Sequence, residues 1–183
     1  MAHTGDIIEN PMIGDRIVFL KTSKETNGEL LQFDDFLKVD GRGPIEHFHI
    51  RQEERLEVMK GVACVLVNGQ EQRLNLGDSV TIAPGTPHRW WNCGDVELQL
   101  RTAFRPAYNL ERFFELIFGL ARDGKTDETG SPTFLQIAVM STAYGIYLPQ
   151  PPLFLQKLLF AVLGPIAKLR GYRAWYPKYS RSD

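Results

Sequence analysis

Three histidines occur in two short segments that could together bind a metal ion. His47 and His49 are two residues apart, and His88 follows a turn rich in proline and glycine. On a β-strand, side chains two positions apart point to the same face, so the first two imidazoles can enter one interior. Two imidazoles rarely share an interior by chance, which makes metal binding the economical explanation. The fourth histidine, His3, lies near the amino terminus, outside these segments.

The sequence predicts β-strands in the segments that position these histidines. We predict strands with turn residues between them over residues 16–20, 30–37, 45–51, 55–59, 62–67, 70–74, 79–82, 88–91 and 96–104. Asn68 and Gly69 predict a type I′ hairpin, because that turn needs positive φ at both central residues. Many short strands without intervening helices indicate an antiparallel sandwich or barrel.

After Pro106 the pattern becomes helical. Asn109 can cap a helix that runs to about Arg122, and a second helix can start at Ser131-Pro132 and stop at Pro149. A third helical segment, residues 153–170, contains Pro165. Proline lacks an N–H and clashes with the carbonyl of the preceding turn, so we expect a kink or break there.

The spacing within both histidine segments resembles the cupin superfamily. The first motif of that family is met by Gly41, His47, His49, Glu54 and Gly61. The second is met by Gly77, Gly85, His88 and Asn92, with Ala83 where the motif has a proline. Two independent motifs at a sensible separation make this resemblance specific, and it covers roughly half of the chain.

The resemblance implies a mainly β fold, an antiparallel double-stranded β-helix (cupin jelly-roll barrel) over residues 1–106, followed by a helical extension over 107–183. It implies one divalent transition metal held by His47, His49, Glu54 and His88. Iron, manganese, nickel, copper, cobalt and zinc all suit such ligands, and four ligands leave one or two coordination positions open. Glu53 is the alternative carboxylate, but the six residues between Glu54 and Gly61 favour Glu54.

Strand alternation predicts which side chains line the pocket. If His88 points inward, Trp90 and Asn92 do so as well, and Arg51 shares the parity of His47 and His49. Trp90 could stack on a planar substrate or simply fill the barrel, and Arg51 could bind an anion or extend into solvent. Arg101, on the last strand, joins the predicted pocket if its apolar neighbours pack outward.

Length and charge limit the domain number and the kind of partner that the chain can bind. A length of 183 residues fits one main domain. A net charge of −1 argues against nucleic acid as the principal partner. Residues 157–183 carry six basic residues against one acidic residue, a net charge of +5.

Cys64 and Cys93 form no CxxC motif, so we interpret them as buried small hydrophobic residues. Without a signal-like apolar stretch at its start, the chain is expected in the cytoplasm.

The extension allows more than one function. Residues 130–156 carry no charged side chain, and we favour burial of the helices against the barrel or in a homodimer interface. Peripheral membrane contact through residues 153–183 is the alternative. For the whole chain we favour a metal-dependent small-molecule enzyme, an oxygenase (oxidoreductase) or isomerase. The alternative is a non-catalytic module that binds metal and metabolite as a sensor or membrane-surface adaptor.

Overall fold

Most of the described strands belong to two facing sheets. The computed structural model describes residues 1–180, so Arg181 and Asp183, part of the predicted charged end, lie outside the described residues. The strands are β1 (Ile7–Asn10), β2 (Asp15–Lys21), β3 (Leu31–Leu37), β4 (Phe48–His49), β5 (Glu53–Lys60), β6 (Ala63–Val67), β7 (Gln70–Leu74), β8 (Ser79–Ile82), β9 (His88–Asn92), β10 (Leu98–Arg105) and β11 (Ile146–Tyr147).

The strand order is that of an antiparallel sandwich. One sheet has the order β1-β2-β3-β10-β5-β8, and another has the order β7-β6-β9. A β-bridge between His47 and His88 joins β9 to the short β4–β11 pair. The predicted mainly β fold with a carboxyl-terminal helical extension is confirmed.

Alternating burial explains why these segments form a barrel. On β10, Leu98, Leu100, Thr102 and Phe104 are buried, whereas the residues between them are partly exposed. The predicted hairpin is also confirmed, because Asn68 and Gly69 have φ values of 49° and 76° between β6 and β7. Gly43 lets its loop approach β9 closely, since a Cβ there would lie 2.1 Å from the Trp90 carbonyl oxygen.

Two strands have no counterpart among the predicted ones, and one is shorter than expected. β1 and the two-residue β11 were not predicted, and the strand expected over residues 45–51 is regular only at Phe48–His49. β11 belongs to the extension yet pairs with β4, with Ile146 opposite His49. Two residues are too few to show an alternating pattern, so β11 depends on tertiary pairing.

Three α-helices in the described chain form the extension: α1 (Glu111–Arg122), α2 (Phe134–Tyr144) and α3 (Leu153–Leu169). The Asn109 side chain does not cap α1, whose N-cap residue is Leu110. α2 ends at Tyr144 and is capped by Gly145, which has the left-handed conformation, so the helix stops before Pro149. Of the kink or break expected at Pro165, the break does not occur, because α3 continues through this residue. Pro165 has no N–H to donate to the carbonyl of Ala161. Both residues are solvent-exposed, so water can donate to that carbonyl instead.

The two cysteines are not separate hydrophobic residues, and that prediction was wrong. Cys64 on β6 and Cys93 just after β9 form a disulfide, with their Cα atoms 5.7 Å apart. The strands β6 and β9 pair directly, so the fold brings together two residues that are 29 positions apart. Sequence spacing alone does not reveal such a cross-strand pair.

The extension packs on the barrel. Leu116 and Phe118 of α1 share one apolar cluster with Phe33 and Phe104 of the barrel. Phe160 of α3 belongs to a second cluster, together with residues of β4, α2 and β11. The boundary at residues 106/107 stays a prediction, since β11 of the extension pairs with β4. None of the helices within residues 1–180 has the length and apolar character needed to cross a bilayer.

Candidate metal centre and its cavity

The four predicted ligands lie together at one end of the sandwich. One ligand atom from each of His47, His49, Glu54 and His88 can be chosen so that all lie within 4.8 Å of one another. The Nε2 atoms of His47 and His49 are 3.2 Å apart, and Nε2 of His88 is 2.8 Å from Oε2 of Glu54. Glu53 is exposed whereas Glu54 is buried, so the structure places Glu54 in the cluster.

Backbone carbonyls orient two of the imidazoles for metal binding. Nδ1 of His47 lies 2.8 Å from the carbonyl oxygen of Ile45, and Nδ1 of His88 lies 2.8 Å from that of Thr86. When a ring is neutral and its Nδ1–H donates to the carbonyl, the Nε2 lone pair is available to a metal. For His88, metal binding would displace the proton through which Nε2 otherwise donates to Glu54. Metal-binding histidines commonly have such a partner, so these residues fit a divalent transition metal.

The charges of the cluster favour a cation. Burial, with the neighbouring histidines, lowers the pKa of His47 to about 3, so this ring is neutral at physiological pH. Burial alone would raise the pKa of Glu54, but His88 and the hydrogen bonds from both neighbouring imidazoles lower it. Burial opposes protonation of His88, yet the Glu54 carboxylate raises its pKa overall. Glu54 is therefore a buried carboxylate, and a bound cation would neutralise it.

A cavity of about 190 Å³ opens onto this cluster. His47, His49 and Glu54 form part of its wall, and Trp90 lies beside them. Most of the remaining wall is apolar, and much of it comes from the extension: Phe113, Phe114, Ile117, Phe118, Ile137, Met140, Ile146, Tyr147 and Leu148. The helical extension therefore completes the site.

Three of the four predicted pocket residues lie elsewhere. Trp90 lines the cavity, but Arg51 is exposed, with its guanidinium over the ring of Tyr108. The Asn92 amide donates to the carbonyls of Leu37, Lys38 and Val96, so it ties loops together although it points inward as predicted. Arg101 points to the opposite face and pairs with Asp34, whose Oδ1 is 2.9 Å from Nε.

Several polar residues of the cavity wall were not predicted from the sequence. Asp15, Asp35 and Thr102 are buried and line the cavity. Strand alternation could have found Asp35, because Leu31, Phe33 and Leu37 share its parity and mark that face as interior. The cavity residues of α1 and α2 had no such signal, since an amphipathic pattern does not say which surface a helix covers.

Comparison with known proteins supports the assignment from the motifs. Residues 37–104 match the family model described as the cupin domain. An epoxidase of Aspergillus terreus is 28% identical over 151 residues, which cover 75% of this chain and 47% of that protein. An uncharacterised protein of Methanocaldococcus jannaschii is 28% identical over 71 residues, 39% of this chain and 57% of that protein. The chain thus spans about half the length of these curated relatives.

Solved structures also match. An RmlC-like cupin of Shewanella frigidimarina superposes with a TM-score of 0.46 at 25% identity, covering 55% of this chain and 83% of that one. An oxalate decarboxylase of Lactobacillus farciminis superposes with a TM-score of 0.46 at 21% identity, covering 52% of this chain and 30% of that one.

Proposed function

Because residues 37–104 match the cupin domain family, we propose that this chain is a metal-dependent enzyme that acts on a small molecule inside the barrel. The reaction class that we propose is oxygenase or isomerase chemistry. One observation carries the proposal: three histidines and one glutamate converge, and His47, His49 and Glu54 of this cluster line a mainly apolar cavity. Four protein ligands leave one or two positions of a five- or six-coordinate ion for substrate or oxygen.

Each part of the chain has a separate role in this proposal. His47, His49, Glu54 and His88 would hold the ion, which when bound supplies Lewis acidity or a site for dioxygen. The rings of Phe104 and Phe114, with centroids 5.9 Å apart, help to form an apolar wall that excludes water. Trp90 offers a ring face to a planar substrate, because it is buried and lines the cavity.

The experiment that tests this proposal asks whether a coordination position is open. The protein is loaded with cobalt(II), and its visible absorption spectrum is recorded before and after addition of azide. We expect the spectrum to change, because azide can occupy an open position only if the protein leaves one. An unchanged spectrum would indicate a closed site and favour the alternative, a non-catalytic module that binds metal and metabolite.

A second candidate function concerns α3, whose outer face is apolar. Phe154, Leu158, Val162 and Leu169 are 69%, 66%, 59% and 89% exposed, whereas the polar Gln156 is buried and bonds the carbonyls of the preceding loop. Exposed basic residues (Lys157, Lys168 and Arg170) accompany this apolar face. Residues 130–180 contain no acidic side chain. An apolar face beside basic residues is typical of helices that bind anionic membrane surfaces.

We propose an anionic lipid surface, rather than a second copy of the chain, as the partner of α3. A symmetric dimer through α3 would bring equal positive charges together, whereas anionic headgroups would neutralise them. The chain should co-sediment with vesicles of phosphatidylcholine and phosphatidylglycerol, but not with phosphatidylcholine alone.

The variant Leu158→Glu should reduce this co-sedimentation. Leu76→Glu, at an exposed leucine of the barrel, is the matched control and should leave it unchanged. If the wild type does not bind vesicles but is a dimer that Leu158→Glu dissociates, α3 is a homodimer interface and the membrane proposal is wrong.

A further inference from the structure

A cluster of polar residues on the inner face of the larger sheet takes no part in the metal centre. Asp15 is on β2, Asp35 on β3 and Thr102 on β10, three strands that are adjacent in the sheet. Asp35 lies opposite Ile17 of β2 and Leu100 of β10. Asp15 and Thr102 are each two residues from those partners, which places them diagonally next to Asp35 on the same face.

These three side chains have unused hydrogen-bonding capacity. The carboxyl groups of Asp15 and Asp35 are close enough to influence each other's pKa. Within the described residues, however, Oδ1 of Asp15, Oδ1 of Asp35 and Oγ1 of Thr102 have no hydrogen-bond partner. All three residues are more than nine-tenths buried, and all three line the cavity. Buried polar atoms without partners are rare and destabilising, so a cluster of three calls for a ligand.

The ionisation of the pair agrees with this interpretation. Burial raises the pKa of Asp35 well above its usual value, and the neighbouring Asp15 raises it further. Burial also raises the pKa of Asp15. Two carboxyls under these conditions favour sharing one proton, and such a pair can accept a hydrogen bond from a neutral group.

We propose that Asp15, Asp35 and Thr102 form a ligand-binding subsite that recognises a hydroxyl group on a small, mainly apolar substrate. The hydroxyl donates to a free carboxyl oxygen of the pair and accepts from Thr102. The inference deepens the proposed function, because the subsite lies in the same cavity as the metal centre.

The size of the cavity limits the substrate. A dry protein cavity of roughly 150 Å³ admits benzene, and this one measures about 190 Å³. A single six-membered ring with one or two small substituents therefore fits. Its ring contacts the apolar wall, its hydroxyl binds the subsite, and another polar group can face the metal ligands.

Phenol and toluene are suitable probes, because they differ by a hydroxyl in place of a methyl group of similar size. Their dissociation constants are measured by NMR titration of the full-length protein, both as purified and after removal of metal with a chelator. We expect phenol to bind about tenfold more tightly than toluene, as one buried hydrogen bond allows. Since metal-free protein is included, failure of the metal proposal and failure of the subsite are distinguishable.

Variants assign the preference to named residues. The double variant Asp15→Leu/Asp35→Leu removes both partners together, and Thr102→Val keeps the side-chain shape; each should reduce the preference for phenol. Asp34→Asn, on the opposite face of β3, is the matched control and should keep it. The inference is wrong if the wild type binds both probes equally or neither, or if both Thr102→Val and the folded double variant keep the preference.

Discussion

Nε2 of His88 lies 2.8 Å from Oε2 of Glu54, although the two residues are 34 positions apart. Glu54 is on β5 of the larger sheet, and His88 is on β9 of the smaller one. The contact therefore joins the two sheets at the candidate metal centre. A metal bound there would connect both sheets, so metal content and stability should change together.

Replacing His49 by alanine should lower metal binding sharply. Its imidazole is one of the four converging groups, and its Nε2 lies 3.3 Å from Oε2 of Glu54. Even outer residues that only orient metal ligands commonly contribute tenfold or more to affinity, so His49→Ala should cost at least roughly that factor. Elemental analysis of the purified variant measures the outcome, with His3→Ala as the control. Unchanged metal content in a folded His49→Ala protein would contradict the assignment.

Asp35→Asn should stabilise the protein at neutral pH, increasingly as the pH rises. Burial raises the pKa of Asp35 above its unfolded value of about 3.8, so the folded state binds this proton more tightly than the unfolded state does. Between the unfolded and the folded pKa of Asp35, rising pH therefore lowers the free energy of unfolding of the wild type, because the carboxyl ionises more readily in the unfolded state. Asparagine does not ionise and avoids this loss.

Urea denaturation at pH 5 and pH 8 measures the effect. The free energy of unfolding of Asp35→Asn should exceed that of the wild type, and this difference should be larger at pH 8 than at pH 5. Asp34→Asn is the control, because Asp34 forms an ion pair with Arg101 on the other face. A difference that is constant with pH would show that Asp35 ionises normally in the folded protein.

The sequence predicted the barrel and the ligand cluster better than it predicted the cavity. Strand alternation and motif spacing are local, so they placed His47, His49 and Trp90 correctly on the interior side. Arg51 was misplaced because β4 ends at His49, after which strand parity no longer applies. The cavity walls that come from α1 and α2 depend on how the extension folds back, and no local pattern encodes that.

The Cys64–Cys93 disulfide should be detectable by counting thiols. Protein purified without reductant and then denatured should show no free thiol, and reduction should release two. Closing a loop of this length stabilises a protein by about 3–4 kcal/mol in the chain-entropy description. The variant Cys64→Ala/Cys93→Ala should therefore unfold at lower denaturant concentration and no longer respond to reductant.

The thiol count also bears on the compartment. A cytoplasmic location stays a prediction, and disulfides persist mainly in oxidising compartments. Two free thiols in freshly purified protein would agree with the cytoplasm and contradict the disulfide. Complete oxidation in rapidly alkylated cell extracts would favour an oxidising compartment.

A chain that ends at residue 106 should aggregate. Without the extension, Phe33 and Phe104 lose contact with Phe114, and the cavity opens to solvent. Large exposed apolar patches promote association in a protein of this size. Size-exclusion chromatography of the truncated protein measures the outcome. A soluble, folded monomer would show that the barrel does not need the extension to cover it.

Phe114→Ala tests the same wall in the full-length chain. The Phe114 ring contacts Phe33 at 4.9 Å between centroids and Phe104 at 5.9 Å, and Phe104 in turn lies 5.2 Å from the ring of His49. Phe114 is partly buried, so its removal should lower the free energy of unfolding by up to about 3 kcal/mol. Phe154→Ala, at a residue that is 69% exposed, should change it by less than about 0.5 kcal/mol. Denaturant unfolding compares the two, and equal effects would show that α1 does not form the wall beside the metal ligands.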